Sequence, residues 1–307
     1  MVPCVEVDER VIIASGKWPK MAEIRDEEWL EGDIASSAID LVQTLRRDRR
    51  LKADIFSFAQ KVTDPVPRLP YFHRLDSMAV IPIISYSDWF TNRISKQIRS
   101  DLSRAAKRGV IVREVEFTDE FVQGIVGIYN ETPIRQGRQF WHYGKQFDAV
   151  KQMNITYLER SIFLGAYLGD ELIGFVKMVH ADGVAGLMQI ISKEAHQDKR
   201  TTNALIAKAV EVCELKGFSH LTYANFRYAQ GSDGLTDFKR RNGFEELLVP
   251  RYYVPLSLRG KFILSLHLEK GAKALLPSSV LKSLKRVRAS LYRFSNTSAI
   301  QAKNESA

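Results

Sequence analysis

SIFLGAYLGDELIGFVKMVHADGVAGLMQIIS, residues 161–192, decides how this chain is read. Three runs rich in β-branched, aromatic and leucine residues are separated by Gly169-Asp170 and Asp182-Gly183, dipeptides that suit two-residue hairpin turns. The pattern predicts three antiparallel strands in a meander. Directly after it, HQDKRTTNALIAKAVEVCELKGF (196–218) passes from a polar, basic turn into an amphipathic helix. Upstream, VIVREV (110–115) reads as a strand, followed by helical patterns from Thr118 to about Asn130 and from Phe147 to Arg160, with the loop TPIRQGRQFWHYGK (132–145) between them. Downstream come a strand in HLTYANF (220–226), a short helix within SDGLTDFKRRNGF (232–244) and a last strand region, ELLVPRYYVPL (246–256).

Further out, SYSDWFTNRISKQIRSDLSRAAKRG (85–109) reads as one strong helix. Ser87 or Asp88 can cap it, Phe90, Ile94, Ile98 and Leu102 form an apolar stripe, and Gly109 stops it. The first 86 residues alternate short elements: VIIAS (11–15) as a strand, a helix near Ile34 to Arg46, DIFSFAQ (54–60) as a strand, the Pro-rich loop DPVPRLP (64–70) and a strand around MAVIPII (78–84). These elements are too few for an independent core, which makes them an α/β portion packed on the main domain.

With 45% hydrophobic and 26% charged residues, the 307-residue chain can bury a sizeable core. Its N-terminal MVPCVEVDERVIIASGK is acidic where a signal peptide is basic, and no apolar run reaches membrane-spanning length, so the expectation is a cytosolic protein. Cys4 and Cys213 lie far apart without ligand spacing, which indicates neither a disulfide framework nor a zinc site. The net charge of +9 is unevenly placed: residues 256–307 hold ten Lys or Arg against two acids, and residues 93–113 seven against one. Two basic segments on a mildly acidic body point to anionic partners such as lipid headgroups, nucleic acid or a phosphorylated substrate; solvated helix faces explain the same charges equally well.

Strand, two helices, three-stranded meander, helix, strand, helix, strand is an order that resembles the GNAT acyltransferase fold, over roughly Val110 to Leu256. Within that superfamily the chain is similar to the FemAB-like branch. The resemblance is carried by IRSDLSRAAKRGV at the end of the basic helix, by FLGAYLGDELIGF, and by GLTDFKRRNGF with its FK pair. It implies an α+β fold, a mixed and mostly antiparallel sheet flanked by helices. The expected organisation is an N-terminal α/β extension (1–86), an acyltransferase domain (87–256) and a basic helical tail (257–307). It also implies an N-acyltransferase that places an acyl or aminoacyl group on an amine of a saccharide or envelope precursor, with acyl-CoA or aminoacyl-tRNA as donor and no metal. The alternative is a non-catalytic module of the same fold that binds tRNA or another nucleic acid through its basic surfaces.

In the GNAT pattern R/Q-x-x-G-x-G/A, the matching positions here are Gln197, Arg200 and Thr202, so both glycines are replaced. Acetyl-CoA binding of the usual kind is therefore in question, because glycine lets the backbone approach an anion closely and take positive φ. The helix start nevertheless offers N–H groups, the positive dipole end, Lys199 and Arg200, and the hydroxyls of Thr201 and Thr202, a set that suits a phosphate and equally a solvated, polar-capped helix start. The donor cleft is expected where the fourth and fifth strands of the fold splay, lined by Gln189 to Ser192 and Tyr223 to Phe226. The loop 132–145 supplies acceptor-side candidates Arg135, Arg138 and Tyr143, with His142 as a possible base or a packed structural residue. Tyr223 and Tyr228 are candidate proton donors, Gln189 and Asn225 candidate substrate contacts. Lys239, in the FK pair, is expected at the cleft rim to meet a phosphate or carbonyl oxygen. In the tail, Val280, Leu281, Leu284, Val287 and Leu291 oppose Lys282, Lys285, Arg286, Arg288 and Arg293, a pattern suited to an anionic membrane surface at its inner face or to packing on the body.

Overall fold

The expected meander forms because its turns can close: Asp182 and Gly183 both take positive φ (46° and 78°), as a type I′ hairpin requires. The computed structural model describes residues 3–7, 10–16, 18–27, 34–48, 50–135, 137–227 and 233–269. In chain order the elements are β1 (Cys4–Val7), β2 (Arg10–Ser15), β3 (Met21–Ile24), α1 (Ile34–Arg47), β4 (Ile55–Ala59) and β5 (Phe72–Pro82). Next come α2 (Tyr86–Asp88) with a π-turn (Trp89–Arg93), α3 (Lys96–Lys107), β6 (Val110–Val115), α4 (Asp119–Tyr129), the hairpin β7 (Ile134–Arg135) and β8 (Arg138–Gln139), and α5 (Phe147–Asn154). The meander β9 (Ser161–Leu168), β10 (Glu171–Ala181) and β11 (Val184–Ser192) leads to α6 (Thr201–Leu215), β12 (His220–Asn225), α7 (Asp233–Arg241), β13 (Glu245–Pro255) and α8 (Leu258–Ser265).

Eleven strands join in one sheet, ordered β1-β2-β3-β4-β13-β5-β12-β11-β10-β9-β6. Among the described residues the parallel pairs are β3–β4 and β11–β12, and all other pairs are antiparallel. The order is internally repeated. An antiparallel meander, a helix and a parallel strand occur once as β1-β2-β3-α1-β4 and again as β9-β10-β11-α6-β12. Each half then lends its next strand to the other, since β5 pairs with β12 and β13 pairs with β4. The N-terminal core, built on Ile12, Leu41, Phe56 and Phe58, is thus completed by Tyr252 and Val254 from β13.

On one face of the second half, α3 and α6 bury Ile98, Ala105, Leu205, Ile206 and Val210 against the sheet. On the other, α4 and α5 bury Phe121, Ile125, Tyr129 and Val150 against Phe163 and Phe175. Cys213 is buried in α6, where desolvation pushes its thiol up to about 12.

Two helix expectations need correction. The single helix over 85–109 is broken at Ile94, whose backbone is extended (φ −85°, ψ 151°), and its caps are Ser85 and Ser95 instead of Ser87 or Asp88. The break is held from outside: Ser95 N–H donates to the Arg241 carbonyl (3.1 Å), and Arg99 closes the first piece by donating to the carbonyls of Phe90, Thr91 and Ile94. The helix expected to reach Arg160 ends at Asn154, because the buried Lys177 ammonium takes the carbonyls of Asn154 (2.8 Å) and Thr156 (2.6 Å). No helix among the described residues is long and apolar enough to cross a membrane. The tail stretch 280–293 lies outside the described residues.

Candidate functional site

The two parallel strands of the second half stay paired for only three residues, Val184–Gly186 against His220–Thr222. Beyond them, β11 and β12 separate. Two irregularities sit in the separated ends. Lys177 faces Gln189 and Met178 faces Leu187, so Met188 is an extra residue in β11. This bulge turns Gln189 toward α4, where its side-chain oxygen accepts from the Tyr129 hydroxyl (2.8 Å). In β12 the register slips between Thr222 and Asn225, with Ala224 at φ 47°. The equivalent end of the first half is bridged: half-buried Glu27 accepts from Ala59 N–H (2.5 Å) on β4 and from Arg251 (2.9 Å) on β13.

Lys239, expected at the rim, is fully buried. Its ammonium donates to the carbonyls of Tyr223 (2.6 Å) and Asn225 (2.7 Å), on either side of Ala224, and lies 4.3 Å from the Tyr223 ring centroid. The geometry makes it a clamp on the distorted end of β12, because strand carbonyls turned out of their ladder need donors and a buried cation needs acceptors. Tyr223 is half-buried against Phe244, Asn225 is exposed, and Tyr228 lies outside the described residues.

The corner before α6 keeps the shape that glycine normally allows. Arg200, standing at the first glycine position, takes φ 59° and serves as the N-cap residue without a side-chain cap. Left-handed backbone at a non-glycine residue is strained by about 1 kcal/mol or more. The Arg200 side chain turns away from the helix axis to Asp101 on α3 (3.3 Å). Asp101, the one acid in the basic segment 93–113, also receives Gln97 (3.0 Å) and Arg104 (3.4 Å). Asp198 similarly pairs with Lys199 (3.0 Å) and Arg108 (2.8 Å). The basic helix and the glycine-free corner are therefore one surface, in which two carboxylates partly neutralise Arg104, Arg108, Lys199 and Arg200. Gln197 is exposed; Thr201 is buried, and a Cβ on Gly174 would lie 2.8 Å from its methyl carbon, so only glycine lets α6 seat this closely on β10.

At Ser192, the last residue of β11, the helix corner expected on the donor side and the hairpin expected on the acceptor side meet. Its hydroxyl bonds Thr202 Oγ1 in α6 (2.9 Å), and its carbonyl accepts from Arg135 of the β7–β8 hairpin (2.9 Å). Arg135 also donates to the Ile128 carbonyl (2.9 Å) and Glu131 (3.2 Å) and lies over the Phe140 ring, so its cation is fixed inside the protein. Glu131 in turn accepts the backbone N–H of Glu194 (2.7 Å) and Ala195 (2.9 Å), tying the hairpin to the loop that leads into α6. Arg138 and Tyr143 are exposed beside this frame.

His142 is packed among Tyr129, Phe140 and Trp141, with ring centroids 4.1 to 5.1 Å away. Burial, with Lys145 and Arg135 adding like charge, lowers its pKa to about 4. It is neutral near pH 7 and a weak base there. Its neighbour Tyr129 is fully buried, and desolvation holds its phenol at about 12. Sequence reasoning placed Ser192 only as the end of the expected cleft lining and missed Glu131, Tyr129 and Asp101; of these three only Asp101 carried a signal, as a single acid among seven cations. Among the described residues no group of three His, Cys, Asp or Glu side chains is placed to hold a metal ion.

No sequence-family model matches the chain, and no curated protein matches it by sequence. Solved structures do match. FemX aligns at TM-score 0.57 and 11% identity over 85% of this chain and 88% of its own. L-PGS from Bacillus licheniformis aligns at TM-score 0.55 and 13% identity, covering 83% and 84%. The C-terminal domain of a putative lysylphosphatidylglycerol synthetase from Agrobacterium fabrum aligns at TM-score 0.52 and 11% identity, covering 86% and 88%. The chain thus shares the fold of FemX and of these synthetase structures, the fold that the resemblance implied, at sequence identities too low to carry more than the fold.

Proposed function

We propose that this protein is an acyl or aminoacyl transferase acting on a cell-envelope component, with the activated acyl group lying between the diverging ends of β11 and β12. The observation that carries this reading is the junction at Ser192, where the helix corner suited to the donor's phosphates and the hairpin on the acceptor side bond to the same strand end. Acyl transfer to a nucleophile needs alignment and a polarised carbonyl, and a strand end that leaves its parallel partner after Gly186 can turn backbone N–H groups toward that carbonyl. The neutral, weakly basic His142 fits a wall of the acceptor side better than a base.

The donor is an acyl-CoA or an aminoacyl-tRNA. Replacement of both glycines favours the latter, since the usual CoA contact depends on them and a nucleic acid gains from the basic rim of α3. The structural likeness to FemX and to proteins named for lysylphosphatidylglycerol synthesis supports an envelope precursor or lipid as acceptor. A thermal-shift panel of acetyl-CoA, longer acyl-CoAs, charged tRNA and uncharged tRNA tests the proposal. Stabilisation by one activated donor, lost when the acyl group is removed, is expected. Equal, strongly salt-dependent binding of charged and uncharged RNA without turnover would instead mark a nucleic-acid-binding module.

A further inference from the structure

Helix α8 follows β13 and docks by one side only. Gly260, Ile263 and Leu264 are buried, with the latter two packed among Ile55, Tyr253 and Leu268. Its outer side carries Leu258, Phe262 and Leu266, which are 83%, 62% and 48% exposed. The spacing i, i+4, i+8 aligns them in one stripe. A soluble helix puts such a stripe inward, but here the inward positions are already filled by other residues.

The surroundings of the stripe select its partner. Arg259 and Lys261 are exposed beside it, whereas the nearby acids are buried, Asp54 in a long ion pair with Arg259 (3.9 Å) and Glu269 in one with Arg74. Residues 270–307 add eight Lys or Arg against one acid. The amphipathic sequence at 280–291 is itself cationic, so like charge opposes its return to this face. An apolar stripe set among cations fits an anionic lipid surface.

Topology gives the contact a use. β11, β12 and β13 all run the same way, because β11 is parallel to β12 and both β12 and β13 are antiparallel to β5. The diverging ends of β11 and β12 therefore open toward the same end of the sheet as α8.

We infer that Leu258, Phe262 and Leu266 form a membrane-docking surface that seats the protein on an anionic bilayer, with the β11–β12 gap on the bilayer side of the sheet. The surface does not depend on catalysis, so it is tested without turnover. The full chain is sedimented with vesicles of phosphatidylcholine alone and of phosphatidylcholine mixed with phosphatidylglycerol. The wild type is expected to bind the mixed vesicles, less at high salt, and to ignore the neutral ones. Replacing all three apolar residues (Leu258→Ser, Phe262→Ser, Leu266→Ser) is expected to weaken binding at least about tenfold, with the melting temperature and donor-induced stabilisation unchanged. Equal binding by wild type and variant, no preference for anionic vesicles, or a wild-type dimer that the substitutions dissociate in the absence of lipid would each overturn the inference.

Discussion

Replacing Lys239 with methionine, which keeps the length and most of the volume of the side chain, separates a clamp from a catalytic contact. Among the described residues the ammonium makes two short hydrogen bonds, 2.6 Å to the Tyr223 carbonyl and 2.7 Å to that of Asn225. Charge-assisted bonds of this kind contribute about 1.5–3 kcal/mol each, and release of a buried cation offsets part of their loss. The expected net destabilisation is about 3 kcal/mol, which for a chain of this size lowers the melting temperature by about 6 °C. The end of β12 then has no clamp to hold its slip at Ala224, so donor affinity falls together with stability. Urea unfolding and donor titration on the same preparation measure both. A Lys239→Met protein with unchanged stability and donor affinity but no turnover would refute this reasoning and return the lysine to the reacting atoms.

Gly174→Ala places a methyl group 2.8 Å from the Thr201 methyl carbon and 3.1 Å from Ser192 Cβ. It should destabilise by about 1–3 kcal/mol and weaken donor binding, read by unfolding midpoint and titration; a neutral outcome would mean that α6 is not tightly seated on β10. At Arg200, held at φ 59°, substitution by glycine should stay within about 1 kcal/mol of wild type because relief of strain offsets the lost Asp101 pair, whereas alanine keeps the strain and loses the pair. An alanine variant as stable as the glycine variant would contradict the left-handed corner. His142 has a folded pKa of about 4, below the ordinary 6.5, so the stability it contributes is present above pH 6.5 and lost as pH falls toward 4. The loss is at most about 3 kcal/mol. Unfolding midpoints across that range should flatten in His142→Phe, and an unchanged slope would show that the imidazole is not buried neutral.

The sheet was legible because its signals are local. Hairpin dipeptides at 169–170 and 182–183 and the change of period after Ser192 mark the meander and α6 without any tertiary information. The break at Ile94 was not, since it depends on the Arg241 carbonyl nearly 150 residues away and on Arg99 folding back on the preceding turn. The same holds for the site. Gln189 and the corner residues follow from their place in the strand order, but the fates of Arg135 and Lys239 are set by carbonyls on other elements. A basic residue in a loop looks available in sequence whether it faces solvent or is fixed to a strand end. The exchange of β5 and β13 between the halves was likewise illegible, because both strands read alike in either pairing.

Amide hydrogen exchange of the full chain, with and without a saturating activated donor, tests the central claim most directly. The account predicts protection concentrated at residues 187–192, 199–204 and 223–226, appearing with the acylated donor and largely absent with its deacylated form. Donor binding that protects other segments and leaves these three unchanged would contradict it.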